Sequence, residues 1–424
     1  MPSERLHALT AVLTTIRRHP GGVTLPTLTQ EVGLGRSVVS SRVADLETLG
    51  LVVADGLAPS TGGRAPRLLR LRAEAGLVCG VAIGALGVEI GVADLAGRVL
   101  TAVDDPLDVT DGPDAVLDRV EQLVDDQLGS AAADSPVWGI GIGVPGPVEF
   151  ATGRPVAPPI MPGWDGYPIR QRLTARYGAP TWVDNDVNIL ALGELRAGGH
   201  GSSSRDMIYV KIGTGIGAGL VSDGRLHRGA NGSAGDIGHV AVSSAENVVC
   251  RCGNVGCLEA LAGGAALALE GRRIAETGGS AIMAEMLSRS GTLTAADVVS
   301  AAERGDPSAR GMLTGAGRLV GTTLASLVSL FNPSLVVLGG GVVRSNDQFL
   351  AAIRESVYRR SLPLATRSLR IEPASVRDHG GLVGAVHLAL DQIFSPACLQ
   401  MWALEGSPAG LVDLADQTAA SAAA

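Results

Sequence analysis

Three stretches of this chain place a glycine turn directly after a β-rich run: "LVCGVAIGALGVEIGVADLAGRVL" from Leu77, "DMIYVKIGTGIGAGLV" from Asp206 and "SLVVLGGGVV" from Ser334. Amphipathic helical patterns such as "PDAVLDRVEQLVDDQL" alternate with them. Strands punctuated by glycine turns and such helices call for α/β lobes, whose sheets bury both faces under helices. Ligands of that architecture bind where the turns converge at the strand ends. With 424 residues the chain exceeds one ordinary domain and has ample material for buried cores.

Charge divides the chain unevenly. Residues 1–72 hold nine arginines against five acidic residues, net +4, leaving 25 basic against 37 acidic residues in the remainder, net −12. An acidic body is repelled by nucleic acid, whereas a basic head is drawn to it. Hydrophobic residues at 46% and charged residues at 18% describe a globular chain, neither disordered nor membrane-embedded. The start "MPSERLHALTAV" lacks the features of a secretory signal, and no apolar run of membrane-spanning length is evident. The expectation is a cytoplasmic protein with no membrane partner, whose cysteines stay reduced.

The basic head, residues 1–73, has the order of a winged helix-turn-helix. "SERLHALTAVLTTIRRHP" places Leu6, Leu9, Val12, Leu13 and Ile16 at helical spacing. "TLPTLTQEVGL" predicts a second helix capped by Thr24 with Pro26 in its first turn. Gly33 then turns the chain into a third, with Val39, Val43 and Leu46 on one face. Arg36, Ser37, Ser40, Ser41 and Arg42 lie mostly elsewhere on it, as a recognition helix in a major groove requires. Two strand-like runs follow about "TGGRAP", a wing tip whose Arg64 would reach phosphate or the minor groove. The competing reading is a three-helix protein-interaction module with a solvated basic face.

Three of the five cysteines, Cys250, Cys252 and Cys257, crowd into "CRCGNVGC", with His239 eleven residues upstream. Three sulfurs and one nitrogen form a closed set for a tetrahedral structural Zn2+, and Gly253 and Gly256 let the backbone wrap an ion. Cys79 and Cys398 read as small buried hydrophobes.

Over about residues 76–390 the body resembles the ROK family (repressors, open reading frames and sugar kinases). The likeness rests on "GIGVPGPV", "VDNDVNILALGE", "GTGIGAGL", "AGDIGHVAV" and "CRCGNVGCLEA". It implies an α/β, two-lobed actin-like (ribonuclease H-like) sugar-kinase fold. Residues 76–394 would form the body: 76–187 a first lobe, 188–377 a second, 378–394 a helix returning to the first. Residues 395–424 are expected as a partly disordered tail, low in complexity and frayed at "VDLADQTAASAAA". The head places the chain with the repressor branch, because family kinases usually begin at the first strand.

The resemblance also assigns sugar-contacting roles to Asn185, Asp186, Asp236, His239 and Glu259. Asp236 is one methylene shorter than the glutamate usual there. "VDND" alone reads equally as an Asx-rich turn opening a helix. Asp186 stands where the family's catalytic base stands, but the phosphate side departs from the pattern. Ala82 replaces an acid, Ala85 a glycine and Leu86 a threonine of the family's first phosphate turn. No methyl group coordinates magnesium, so the base is vestigial and no catalytic residue is expected. The glycines of "GTGIGAGL" are weak evidence of phosphate binding, because backbone sterics alone can demand them. A further departure is "APPIMPGWDG", where Pro159 and Ile160 stand near a sugar-contacting Asn of the family. The resulting expectation is a sugar-responsive transcriptional regulator, a repressor, acting on operator DNA as a homodimer or dimer of dimers. The alternative is an ATP-dependent sugar kinase carrying a DNA-binding domain.

Overall fold

Helix formation in the head follows the periodicity of its apolar residues. In the computed structural model, which describes residues 3–59, 65–131, 135–199, 204–243, 248–344, 346–376, 378–403 and 405–422, Ser3–Arg17 forms α1. Its Leu6, Leu9, Val12, Leu13 and Ile16 are all buried. Thr24 caps α2 (Leu25–Val32) by accepting the Thr27 N–H, and Gly33 ends it in the left-handed conformation. Helix α3 (Arg36–Thr48) buries Val39, Val43 and Leu46. Strands β1 (Val23–Thr24), β2 (Val52–Leu57) and β3 (Arg67–Leu71) form an antiparallel sheet in the order β1-β3-β2. This is a winged helix-turn-helix. The wing tip with Arg64 lies outside the described residues.

The chain divides into two compact units, residues 1–189 with 381–424, and residues 190–380. Beyond the head, the first unit is built on β4 (Leu77–Ile83), β5 (Gly87–Asp94), β6 (Val99–Pro106), β7 (Val137–Val144) and β10 (Thr181–Asn185). They lie in the order β10-β7-β4-β5-β6. The first three make antiparallel pairs, and β7 and β10 add parallel on the far side of β4. A small hairpin, β8 (Val148–Glu149) and β9 (Arg154–Pro155), follows β7. Helices α4 (Pro113–Ser130) and α5 (Ile169–Tyr177) belong to this unit, and α6 (Asp186–Ala197) carries the chain out of it.

The second unit repeats the plan. Its sheet is β13-β12-β11-β14-β15, from β11 (Met207–Ile212), β12 (Ile216–Ser222), β13 (Arg225–His227), β14 (Leu335–Gly339) and β15 (Arg370–Pro373). The first three are antiparallel, and β14 and β15 add parallel beside β11. Its helices are α7 (Leu258–Ala262), α8 (Gly264–Glu276), α9 (Ala281–Ser290), α10 (Ala295–Glu303), α11 (Pro307–Phe331), α12 (Gly341–Arg344), α13 (Asp347–Arg360) and α14 (Pro363–Thr366). By length and apolarity the 25-residue α11 passes for a membrane-crossing segment, against the expectation of no such run; its Leu313, Val320, Leu324 and Val328 belong to the unit's core. Two sheets of one topology, each with three antiparallel strands extended by two parallel ones, constitute the actin-like duplication.

The C-terminal segment departs from the expected frayed tail. After α15 (Gly380–Ile393), helix α16 (Pro396–Trp402) buries Cys398, Leu399 and Trp402, and α17 (Leu414–Ala422) buries Leu414, Ala415 and Thr418. Its Ala- and Ser-rich composition reads as polar and simple, but small residues also pack closely when tertiary structure supplies a surface.

Candidate functional site

The His/Cys loop forms around backbone pairing. Isolated bridges join Ala241 to Cys257 and Val249 to Val255, and Cys250 N–H donates to the Asn254 carbonyl at 2.7 Å. Gly256, at φ +72°, is forced by proximity as well as by its turn: a Cβ there would lie 1.9 Å from the Ser243 carbonyl oxygen. The loop thereby gathers His239, Cys250, Cys252 and Cys257, whose ligand atoms all lie within 4.8 Å of one another. Cys252 Sγ and Cys257 Sγ are 3.8 Å apart, and Cys250 Sγ is 3.6 Å from His239 Nδ1. A tetrahedron with metal–sulfur bonds of about 2.3 Å has sulfur–sulfur edges of about 3.8 Å, so the donors fit a metal ion of zinc's size. Burial raises the Cys250 and Cys257 thiols, the latter to about 12, so an ion entering here displaces protons.

With Nδ1 turned toward the sulfurs, His239 presents Nε2 to the other side, 3.9 Å from Asp236 Oδ1. Glu259, two residues beyond Cys257 on α7, is largely buried, and its Oε2 accepts the Ile216 N–H at 3.1 Å. Its Oε1 lies 3.8 Å from Arg251 Nη2, a neighbour that the motif's spacing does not reveal. Asp236 and His239 thus face each other, and Glu259 lies close by, its Cβ 3.5 Å from where a Cβ on Gly238 would stand. Gly215, in the turn between β11 and β12, is explained by the same carboxylate: a Cβ at that position would sit 2.0 Å from Glu259 Oε2. The glycine serves the acid's approach, which makes a phosphate unnecessary to account for it.

In the first unit Asn185 ends β10 and Asp186, buried, opens α6. The Asn185 amide donates to the Gly146 carbonyl at 2.8 Å, and its Oδ1 accepts the Val187 N–H at 2.8 Å. Asp184 Oδ1 accepts from the Asn185 N–H and from Asn188 Nδ2. The Asx turn is thus present in the stretch, and it orients the residue that follows. The loop before Trp164 is closed by the Ala157 N–H donating to Asp165 at 2.7 Å, with Ala157 at φ 42°. Pro159 and Ile160 are half-buried within it.

A cavity of about 490 Å³ opens beside the first glycine turn, lined by Ala82, Gly84, Leu86, Gly87, Val88, Glu89, Asp104, Asp105 and Pro106. Glu89, opposite Ala82 in the β4–β5 register, accepts the Leu382 N–H at 3.1 Å. That carboxylate, which the sequence motifs do not mark, faces the first turn of α15. Leu86 is 73% exposed. Asp105 pairs with Arg119, whose hydrogen bond holds its carboxyl below the usual range. Among the described residues lining the cavity, the charged side chains are all carboxylates.

On α3, Arg36, Ser37 and Ser41 are exposed and Ser40 half-exposed. Arg42 differs: it is 12% exposed and pairs with Asp45 at 3.2 Å, which Arg5 also engages at 3.0 Å. Val38, at 42% exposure, is an apolar member of that face outside the charge-based reading.

A winged helix joined to an actin-like pair of sheets with a His/Cys cluster defines a class of kinase-like bodies behind a DNA-binding-type head. The sequence profile of the ROK family matches residues 78–392, and the chain belongs to that family. It is similar to a xylose repressor of Caldicellulosiruptor bescii, 30% identical over 368 residues, covering 86% of this chain and 90% of that one. It is also similar to a glucokinase of Halalkalibacterium halodurans, 31% identical over 318 residues, covering 74% of this chain and 94% of that one. Among solved structures, a ROK family transcriptional regulator described as a homolog of the E. coli MLC protein superposes with a TM-score of 0.80 at 24% identity. That match covers 95% of this chain and 99% of that one, and shows the fold. A Streptomyces griseus ROK glucokinase in complex with glucose and AMPPNP gives 0.64 at 30% identity, covering 74% of this chain and 99% of that one.

Proposed function

We propose that this chain is a sugar-responsive transcriptional repressor whose head binds operator DNA and whose body senses carbohydrate without phosphorylating it. The observation that carries this reading is the pairing, in one chain, of a winged helix-turn-helix with a ROK body whose first phosphate turn has exchanged its acid for Ala82. Arg36, Ser37, Ser40 and Ser41 read or flank the groove, with Arg64 at the wing. Arg42 is the weaker member of that set, because Asp45 already engages it. A homodimer or dimer of dimers is favoured by the two-fold symmetry usual in operators and by the family resemblance. A cytoplasmic location, with no membrane partner, goes with this function.

Sugar recognition is assigned to Asn185, Asp186, Asp236, His239 and Glu259, the positions that the family motifs mark. The ion held by His239, Cys250, Cys252 and Cys257 is a structural Zn2+, which supplies a tetrahedral clamp on the loop. The protein groups do the reading: His239 keeps Nε2 for hydrogen bonding, and Glu259 is oriented by the Ile216 N–H. Xylose and glucose are the first sugars to test, given the names of the relatives.

Loss of phosphotransfer is supported by the chemistry around Ala82. A kinase needs donors and a cation where the phosphates lie. Where the family's acid stands the chain offers a methyl group, Leu86 follows it exposed, and the nearby Glu89 and Asp105 are already engaged by the Leu382 N–H and by Arg119. The alternative, an ATP-dependent sugar kinase with a DNA-binding head, is favoured by the retained Asp186 and by the similarity to glucokinases. A thermal-shift screen of pentoses and hexoses, with and without ATP and magnesium, separates the two readings, because only ligands of the native state raise the midpoint. Sugar-dependent ADP formation abolished by Asp186→Asn would establish the kinase instead.

A further inference from the structure

The C-terminal segment lies beyond the stretch matched by the family profile and buries more than a frayed tail would. Its first helix, α16, packs against α1 of the head. At the same junction the Arg17 guanidinium lies over the Phe394 ring, 4.3 Å from its centroid. Phe394 belongs to an aromatic cluster with Trp138 and Trp402, whose centroids are 5.2 Å apart. Trp138 sits on β7 of the first unit's sheet, and Trp402 donates its indole N–H to the Ile393 carbonyl at 2.9 Å. The head is therefore seated on the end of α15 and on α16.

The second helix, α17, packs on α16. Its Asp416 accepts from Arg170 Nη1 at 2.7 Å. Arg170 is 2% exposed, and its remaining hydrogen bonds go to the carbonyls of Phe150 at 2.8 Å and Ala151 at 2.7 Å. These carbonyls belong to the turn of the β8–β9 hairpin, which packs on β10. Asn185 ends β10 and donates to Gly146, just before that hairpin. A buried guanidinium requires a counter-charge, and among the described residues the carboxylate that meets Arg170 comes from the C-terminal helix.

We propose that residues 395–418 are the strap that couples the ligand-reading loops of the first unit to the DNA-binding head. Arg170 acts as the positioning residue and Asp416 as the clasp. The strap joins the β8–β9 hairpin to α1 through α17 and α16. It rests on the regulator reading only for what signal it carries; the mechanical linkage stands or falls separately.

The test is hydrogen exchange on the full-length protein without ligand. Asp416→Asn is expected to speed exchange about tenfold or more in α17, in residues 148–155 and, at a distance, in α1, leaving β4–β7 unchanged. Asp416→Glu should restore the original rates. Faster exchange confined to α17 overturns the strap, as does a uniform rise through the whole unit. Arg17→Ala, at the other end, provides an independent arm should the first variant fold poorly. Faster exchange in α16 and α17 supports the linkage, and unchanged exchange there overturns it. Repeating the measurement with D-xylose and D-glucose distinguishes the two ideas. A strap that behaves as described while neither sugar alters exchange at 185–186 or 236–259 stands, and it is the assignment of those sugars that fails.

Discussion

Glu259 and the glycine facing it illustrate how one side chain sets the chemistry of a turn. Gly215→Ala would push a methyl into the carboxylate, 2.0 Å from its ideal position, whereas at Gly213 the nearest atom is the flexible Lys211 Cε at 3.3 Å. Gly215→Ala should therefore cost about 1–3 kcal/mol in urea unfolding and weaken sugar binding, and Gly213→Ala should do neither to a comparable degree. The sulfur ligands invite a second measurement. Cys252→Ser should reduce bound zinc in purified protein from about one per chain to a small fraction, read by elemental analysis. Cys398→Ser, in a buried position remote from that loop in sequence, should leave the metal content intact. The cysteine count and spacing were enough to point to the four candidate ligands that the structure gathers. That Nδ1 faces the sulfurs and Nε2 faces Asp236 depends on the three-residue turn Ile237–His239, which no spacing rule specifies.

At the level of elements, α3 separates side chains that strength of charge alone would group together. Arg36 is exposed, whereas Arg42 shares Asp45 with Arg5 and so ties α3 to α1. Arg36→Ala is expected to weaken DNA binding and lower the slope of log affinity against log salt by about one. Arg42→Ala should leave that slope nearly unchanged and instead cost about 1 kcal/mol of stability in chemical denaturation. The helices of the head were readable from apolar periodicity and caps, because each buries a stripe set by local spacing. The C-terminal helices were not. Leu414, Ala415 and Thr418 form a buried face only because α16 lies beneath them, and their composition carries no strong period.

Across the whole molecule, the two units report separately. All four tryptophans, Trp138, Trp164, Trp182 and Trp402, fall in the first unit, and all four metal-ligand candidates fall in the second. Chelation should lower the unfolding midpoint of the second unit, seen by circular dichroism, while tryptophan emission below that transition stays unchanged. A shift in tryptophan emission as metal is stripped at low temperature would contradict the assignment of the ion to a loop of the second unit.

Periodicity, glycine turns and clustered cysteines act over a few residues, so the α/β class, the winged helix and the candidate metal cluster could be read along the chain. The family motifs extended that reading to Asp236, His239 and Glu259. Contacts between residues far apart in sequence left no such trace: Glu89 on the first turn of α15, Glu259 against Gly215, and Asp416 clasped to Arg170 across 246 positions. Folding alone brought these partners together, because a buried charge is matched by whatever the tertiary structure places within hydrogen-bonding reach.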